Sequence, residues 1–141
     1  MAAYNKFAQF AADLANGKHN LGGDTLKVML SNVAPAAANA VLTDLTEITA
    51  ANGYTAGGTA ATTTSDTQSG GTDKLILGNV VFTASGGTIG PFRYAALYNA
   101  TQTSPAHPLI GWWDYGSSVT LNSGDTFTWT PDAVAGVLQI A

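Results

Sequence analysis

The chain has 141 residues and a mass of 14.4 kDa, enough for one domain that buries about 68–70 % of its unfolded surface. Charged residues make up only 10 %, against roughly 25 % in an ordinary soluble domain, and the formal charge is −4 with a pI near 4.6. This balance argues against a phosphate-tracking surface and so against nucleic acid as a partner. With no cysteine the chain holds no disulfide, thiolate metal site or cysteine nucleophile. His19 and His107 alone cannot make a histidine-rich metal centre.

Lys6, Gln9 and Asp13 interrupt the apolar start of the chain, so it lacks the core of a secretory signal, and no run of about 18 apolar residues suggests a membrane span. The expectation is a chain made in the cytoplasm with no membrane partner. Ala, Thr and Gly supply about two fifths of the residues, so the solvated surface must be built from Thr, Ser, Asn and Gly.

In the N-terminal segment 1–17, residues 2–16 read as a helix. Tyr4, Phe7, Ala8, Ala11 and Leu14 recur at three- and four-residue steps, Phe10 lies beside them, and Gly17 supplies a stop. That aromatic stripe needs a cover, either the domain's own sheet or a neighbouring subunit. From Thr25 to Ser31 the period becomes two, with Leu26, Val28 and Leu30 on one face, which predicts the first strand. A small-residue loop from Asn32 to Val41 follows. Asp44 and Glu47 then have capping-box spacing, which predicts a short helix over 45–51 closed by Asn52-Gly53.

Beyond Tyr54 the chain reads as strands at 57–66, 74–84, 91–99, 108–115, 117–122, 126–131 and 136–140, separated by Gly, Pro, Asn and Ser clusters. Residues 59–73 are nearly all Thr, Ser, Ala, Gly and Gln and carry too little apolar surface for a central strand, so they read as an edge strand or a flexible arm. Gly78-Asn79 marks a bend or bulge in the apolar run from Leu75 to Phe82. In 92–98 both faces are largely apolar, as in a strand at the middle of a sheet or under an interface. Gly124-Asp125 signals a hairpin between 117–122 and 126–131. With no helical pattern after residue 52, the fold expected is a mainly β, antiparallel, jelly-roll-like β-sandwich with an N-terminal α-helix and one short helix.

No constellation for catalysis is assembled. The Asp44 and Glu47 spacing is explained by capping, and His107 stands in a proline-rich loop near Ser104. A triad written with Asp114 lacks the Gly-x-Ser-x-Gly elbow that would activate a serine. The paired glycines form neither a dinucleotide nor a phosphate loop and read as turn punctuation, and single acidic residues make no calcium loop. No catalytic residue, cofactor site or metal site is therefore assigned. What resists a purely structural reading is Trp112-Trp113-Asp114-Tyr115. Adjacent tryptophans in a strand point to opposite faces, so one enters the core and the other looks outward. The outward one is covered by the N-terminal helix or by a partner subunit, or it forms a sugar-stacking platform with weak help from Asp114 and Asn99. The candidate interface residues are Tyr4, Phe7, Phe10, Trp112, Trp113 and Tyr115.

Several stretches together resemble a family of small tailed-bacteriophage virion proteins, the capsid cement or decoration proteins. They are Tyr4-Asn5-Lys6-Phe7, the strand from Thr25 to Ser31, the run from Leu42 to Ile48 leading into Asn52 to Gly58, Phe92 to Tyr98, and Leu109 to Trp112. The resemblance spans nearly the whole chain and rests on structural signatures. It implies a jelly-roll-like protein without catalytic residues, forming dimers or trimers on the outer surface of a phage head, where it bridges major capsid protein subunits. Other classes kept in view are a carbohydrate- or receptor-binding module and a tail-tube or tail-terminator subunit.

Overall fold

The computed structural model of the chain describes residues 2–141. Along it run β1 (Asn5–Lys6), α1 (Ala8–Ala15), β2 (Leu26–Ser31), β3 (Thr59–Ala61), β4 (Thr63–Ser69), β5 (Thr72–Leu77), β6 (Val80–Thr83), β7 (Ile89–Asn99), β8 (Leu109–Leu121), β9 (Thr126–Trp129) and β10 (Leu138–Ile140). The strands pair antiparallel into three sheets, in the orders β1-β8-β7-β2-β3, β10-β5-β4 and β6-β9. The architecture is mainly β and sandwich-like, with one α-helix.

The two-residue period of β2 places Leu26, Val28 and Leu30 in the main core, with Leu75, Leu77, Val80, Phe82, Trp113 and Trp129 contributed from other strands. The opposite face is equally apolar at its centre. There Met29, Ala96, Tyr98 and Leu109 form a second cluster with Phe7, bordered by Leu42, Leu45 and Trp112. The strand at the middle, β7, lies between β8 and β2, one of the two places, mid-sheet or under an interface, that the apolar character of both its faces allows. Alternation along β8 is corrected by a bulge: Tyr98 pairs with Leu109 and Leu97 with Gly111, so Ile110 is the extra residue. Ile110 and Trp113 consequently join the main core while Leu109 and Trp112 join the second.

Six expectations change. The helix begins at residue 8, not residue 2, because Asn5 and Lys6 pair with Trp112 and Gly111 and Phe7 is still extended, with φ −71 and ψ 139. A side chain on Gly111 would collide with the Tyr4 ring and approach the Asn5 carbonyl oxygen to 2.9 Å, so glycine is what lets β1 lie against β8. Residues 45–51 form no helix; a 3₁₀ turn occupies Leu42–Asp44 instead. Asp44 Oδ2 accepts the Ala40 and Val41 N–H groups upstream, and Glu47 is drawn away to Tyr54 and Gly57. The predicted strands 108–115 and 117–122 are one strand, β8, bulged at Gly116, whose φ is +83 and whose N–H donates to Asp114 Oδ1. Finally, the turn closed by Asp125 N–H on the Asn122 carbonyl is present, but β8 pairs with β7 and β9 with β6, so it links two sheets and is no hairpin. Within the 59–73 segment, read as an edge strand or a flexible arm, β3 and β4 each end a sheet, while Thr72 and Asp73 open β5, the middle strand of its sheet. The expected single strands 74–84 and 57–66 are also each two, because the break at Gly78-Asn79 separates β5 from β6 and residue 62 separates β3 from β4, with the members of each pair in different sheets.

Phe7 is fully buried and its ring sits 4.6 Å from that of Trp112. Phe7→Ala is therefore expected to cost about 3 kcal/mol and to lower the melting temperature by about 10 °C. Thermal denaturation measures this; Val134→Ala, at a side chain 81 % exposed, should change stability by less than about 0.5 kcal/mol.

Candidate functional site

The six aromatic residues singled out from the sequence fall into two groups. Phe7, Phe10 and Trp113 are buried inside the chain itself and present almost nothing to a partner. Tyr4, Trp112 and Tyr115 are half-buried and keep an accessible portion. Trp112 is the outward tryptophan, and its cover is the extended Phe7 rather than the helix. Trp113 points the other way and packs edge-on to Trp129 at 5.1 Å. Trp113 therefore offers no ring face to a sugar, and Trp112 only the part that Phe7 leaves accessible. Of the polar residues suggested beside them, Asn99 is fully buried and Asp114 is engaged by Arg93 through two hydrogen bonds of 2.7 and 3.1 Å.

On the Trp113 side two open cavities share Asp132. One, of about 240 Å³, is lined by Tyr4 and Trp113 with Ala2, Gly136 and Val137. The other, of about 480 Å³, is lined by Tyr115, Thr128, Thr130 and Pro131. Tyr115 is held by an edge-on contact with Phe127 at 4.9 Å, and burial raises its phenol. Burial likewise pushes Tyr4 up to about 12, so both rings are neutral at physiological pH. The Asp132 carboxylate stays well below the usual range because Oδ1 accepts the Ala135 and Val134 N–H groups, each at 2.7 Å. The aromatic run drew attention to Tyr115 and Trp113 in sequence. Asp132 gave no comparable signal, since a lone aspartate after proline reads as a turn.

Several other titratable groups serve the fold. His19 is buried against Phe10, with ring centroids 5.1 Å apart. Asn99 Oδ1 accepts the Thr101 and Gln102 N–H groups, which fixes the amide so that Nδ2 donates to Asp24 Oδ2 at 2.6 Å and faces His19 Nδ1 at 3.2 Å. Nδ1 must then be the acceptor and the neutral ring carries its proton on Nε2. Glu47 Oε1 accepts from the Tyr54 hydroxyl and the Gly57 N–H, and Tyr54 in turn accepts the Leu30 N–H, which ties the 45–57 loop to β2. On edge strand β4, the Asp66 carboxyl fills the space beside Gly22. Burial first and the neighbouring Asp73 second raise it above the ordinary range. His107 is half-buried with its ring 5.8 Å from Tyr98. Among the described residues no cluster of three or more His, Cys, Asp or Glu side chains could hold a metal ion. No helix there is long and apolar enough to cross a membrane.

The fold and these contacts define an antiparallel β-sandwich-like protein in which two of the accessible aromatic residues, Tyr4 and Tyr115, line the cavities that share Asp132. No protein-family model, curated protein or solved structure matches the chain.

Burial holds His19 below its ordinary value, outweighing the opposing pull of Asp13 and Asp24. The unfolded chain therefore takes up a proton before the folded one does. His19 contributes its full share of stability above about pH 6.5 and loses it as the pH falls below that value, by at most about 1.4 kcal/mol per pH unit. Urea midpoints measured between pH 7.5 and 5.5 should show this decline, and the His19→Gln variant should flatten it.

Proposed function

We propose that the protein is a capsid decoration protein, seated on the outside of a tailed-phage head and bridging subunits of its shell protein. The observation that carries this reading, beside the sequence resemblance, is edge strand β4. It is the longest strand at the end of a sheet, seven residues of Thr, Ser, Gln and one Asp, free of lysine and proline. An open strand edge of this kind accepts a strand from a neighbouring chain through backbone hydrogen bonds. The low ion content means that such contacts desolvate few unpaired charges. A jelly-roll-like topology and a dimeric or trimeric state belong to the same proposal.

The test is addition of purified protein to undecorated heads of the phage that encodes it. Wild-type protein should sediment with the heads and raise the temperature at which they rupture. Thr67→Glu, which puts a charge on the exposed β4 edge opposite Lys74, should weaken occupancy by roughly tenfold, or about 1.4 kcal/mol, while leaving the melting temperature of the free protein unchanged. A protein that stays in the supernatant, or that assembles into six-fold rings of a tail tube, would reject the proposal.

A further inference from the structure

We propose that the paired cavities around Asp132 are a docking site for an arginine side chain presented by a partner protein, its guanidinium bound to Asp132 and stacked on Tyr115. Charge complementarity selects the occupant. Neither cavity is lined by Lys, Arg or His, the shared residue is a carboxylate, and the whole chain carries a formal charge of −4, so an anionic ligand is repelled. Asp132 Oδ1 is already engaged by the Val134 and Ala135 N–H groups, and Oδ2 has no hydrogen-bond donor among the described residues. Tyrosine rings attract a cation held over their faces within about 6 Å, and the half-buried Tyr4 and Tyr115 supply such rings on both sides of the carboxylate. A planar guanidinium can stack on a ring while keeping its donors in plane for a carboxylate, which a lysine ammonium cannot do. The hydroxyls of Thr128 and Thr130 are acceptors for its remaining N–H groups. The Lys74 ammonium is close enough to help keep Asp132 ionised and lines neither cavity, so it competes weakly with an incoming cation.

The inference stands apart from the decoration reading, because it is tested on the free protein. The probe is the peptide acetyl-Gly-Arg-Gly-amide, titrated into isotope-labelled protein and followed by two-dimensional NMR. Saturable shifts confined to Tyr115, Thr128, Thr130 and residues 132–135 are expected, with a dissociation constant on the order of millimolar for so small a ligand. Asp132→Asn keeps an oxygen to accept the turn N–H groups and should weaken binding at least about fivefold. Lys74→Gln removes the competing charge and should strengthen it about twofold, a gain that a merely structural disturbance would not produce. Replacing arginine by neutral citrulline in the peptide should abolish the shifts. Absence of saturable shifts, equal shifts with the citrulline peptide, or affinity indifferent to both Asp132→Asn and Lys74→Gln would overturn the proposal. So would saturation of the same residues by maltotriose without any response to the arginine peptide, which would mark the cavities as a carbohydrate site.

Discussion

The central strand β7 is apolar on both faces, and the rest of the molecule is arranged to keep water from each. One face is closed by the strands of the two smaller sheets, whose Leu75, Phe82 and Trp129 are packed with Val28, Leu97 and Trp113. The other has no second sheet to meet. It is closed by Phe7 and by Leu42 and Leu45, which lie outside the strands. Full burial of a side chain of this size is worth about 1.5–3 kcal/mol, so Phe7 belongs to the core as fully as the strands do, while the half-buried Leu42 and Leu45 close its border. Anchoring Phe7 also explains the extended β1: its pairing with β8 carries the chain across the sheet face before α1 starts.

The same demand disposes of the charges. A chain with few ionisable groups places several of them where backbone donors need acceptors. Asp44 satisfies two N–H groups before the 3₁₀ turn, Asp132 two in its own loop, and Glu47 joins Tyr54 to Gly57. His19, Asn99 and Asp24 lock the loop after α1 to the end of β7. Apart from the second oxygen of Asp132, these groups are engaged by the fold, which leaves the lysine-free β4 edge and the surface around Asp132 as the features of the molecule most suited to recognition.

The predicted aromatic interface shows how burial reshapes a functional reading. Alternation along a strand correctly separates Trp112 from Trp113, because successive side chains of an extended chain leave on opposite sides. It says nothing of what lies above each face. Whether Phe7 or a partner covers Trp112, and whether Tyr115 stands free or under Phe127, depends on residues roughly a hundred or a dozen positions away along the chain. The turn geometry of Pro131 to Ala135 that aims Asp132 between two cavities is equally remote from the aromatic run, and no local pattern marks it.

The sequence by itself determined the mainly β character and the strand predicted from Thr25 to Ser31, and it narrowed 92–98 to the middle of a sheet or an interface and the Thr/Ser-rich segment to an edge strand or a flexible arm. Each follows from the apolar content and period of a single stretch. It misread the start of α1, the 45–51 segment and the pairing of β9, and for a common reason. Helical spacing in residues 2–16 and capping spacing at Asp44 and Glu47 are weak local preferences. They yield when β8 offers Asn5 and Lys6 a ladder, when Tyr54 and Gly57 offer Glu47 better donors, and when β6 offers β9 a partner. Only the tertiary structure decides such contests, because the competing partners are distant in sequence and meet only once the sheets have packed.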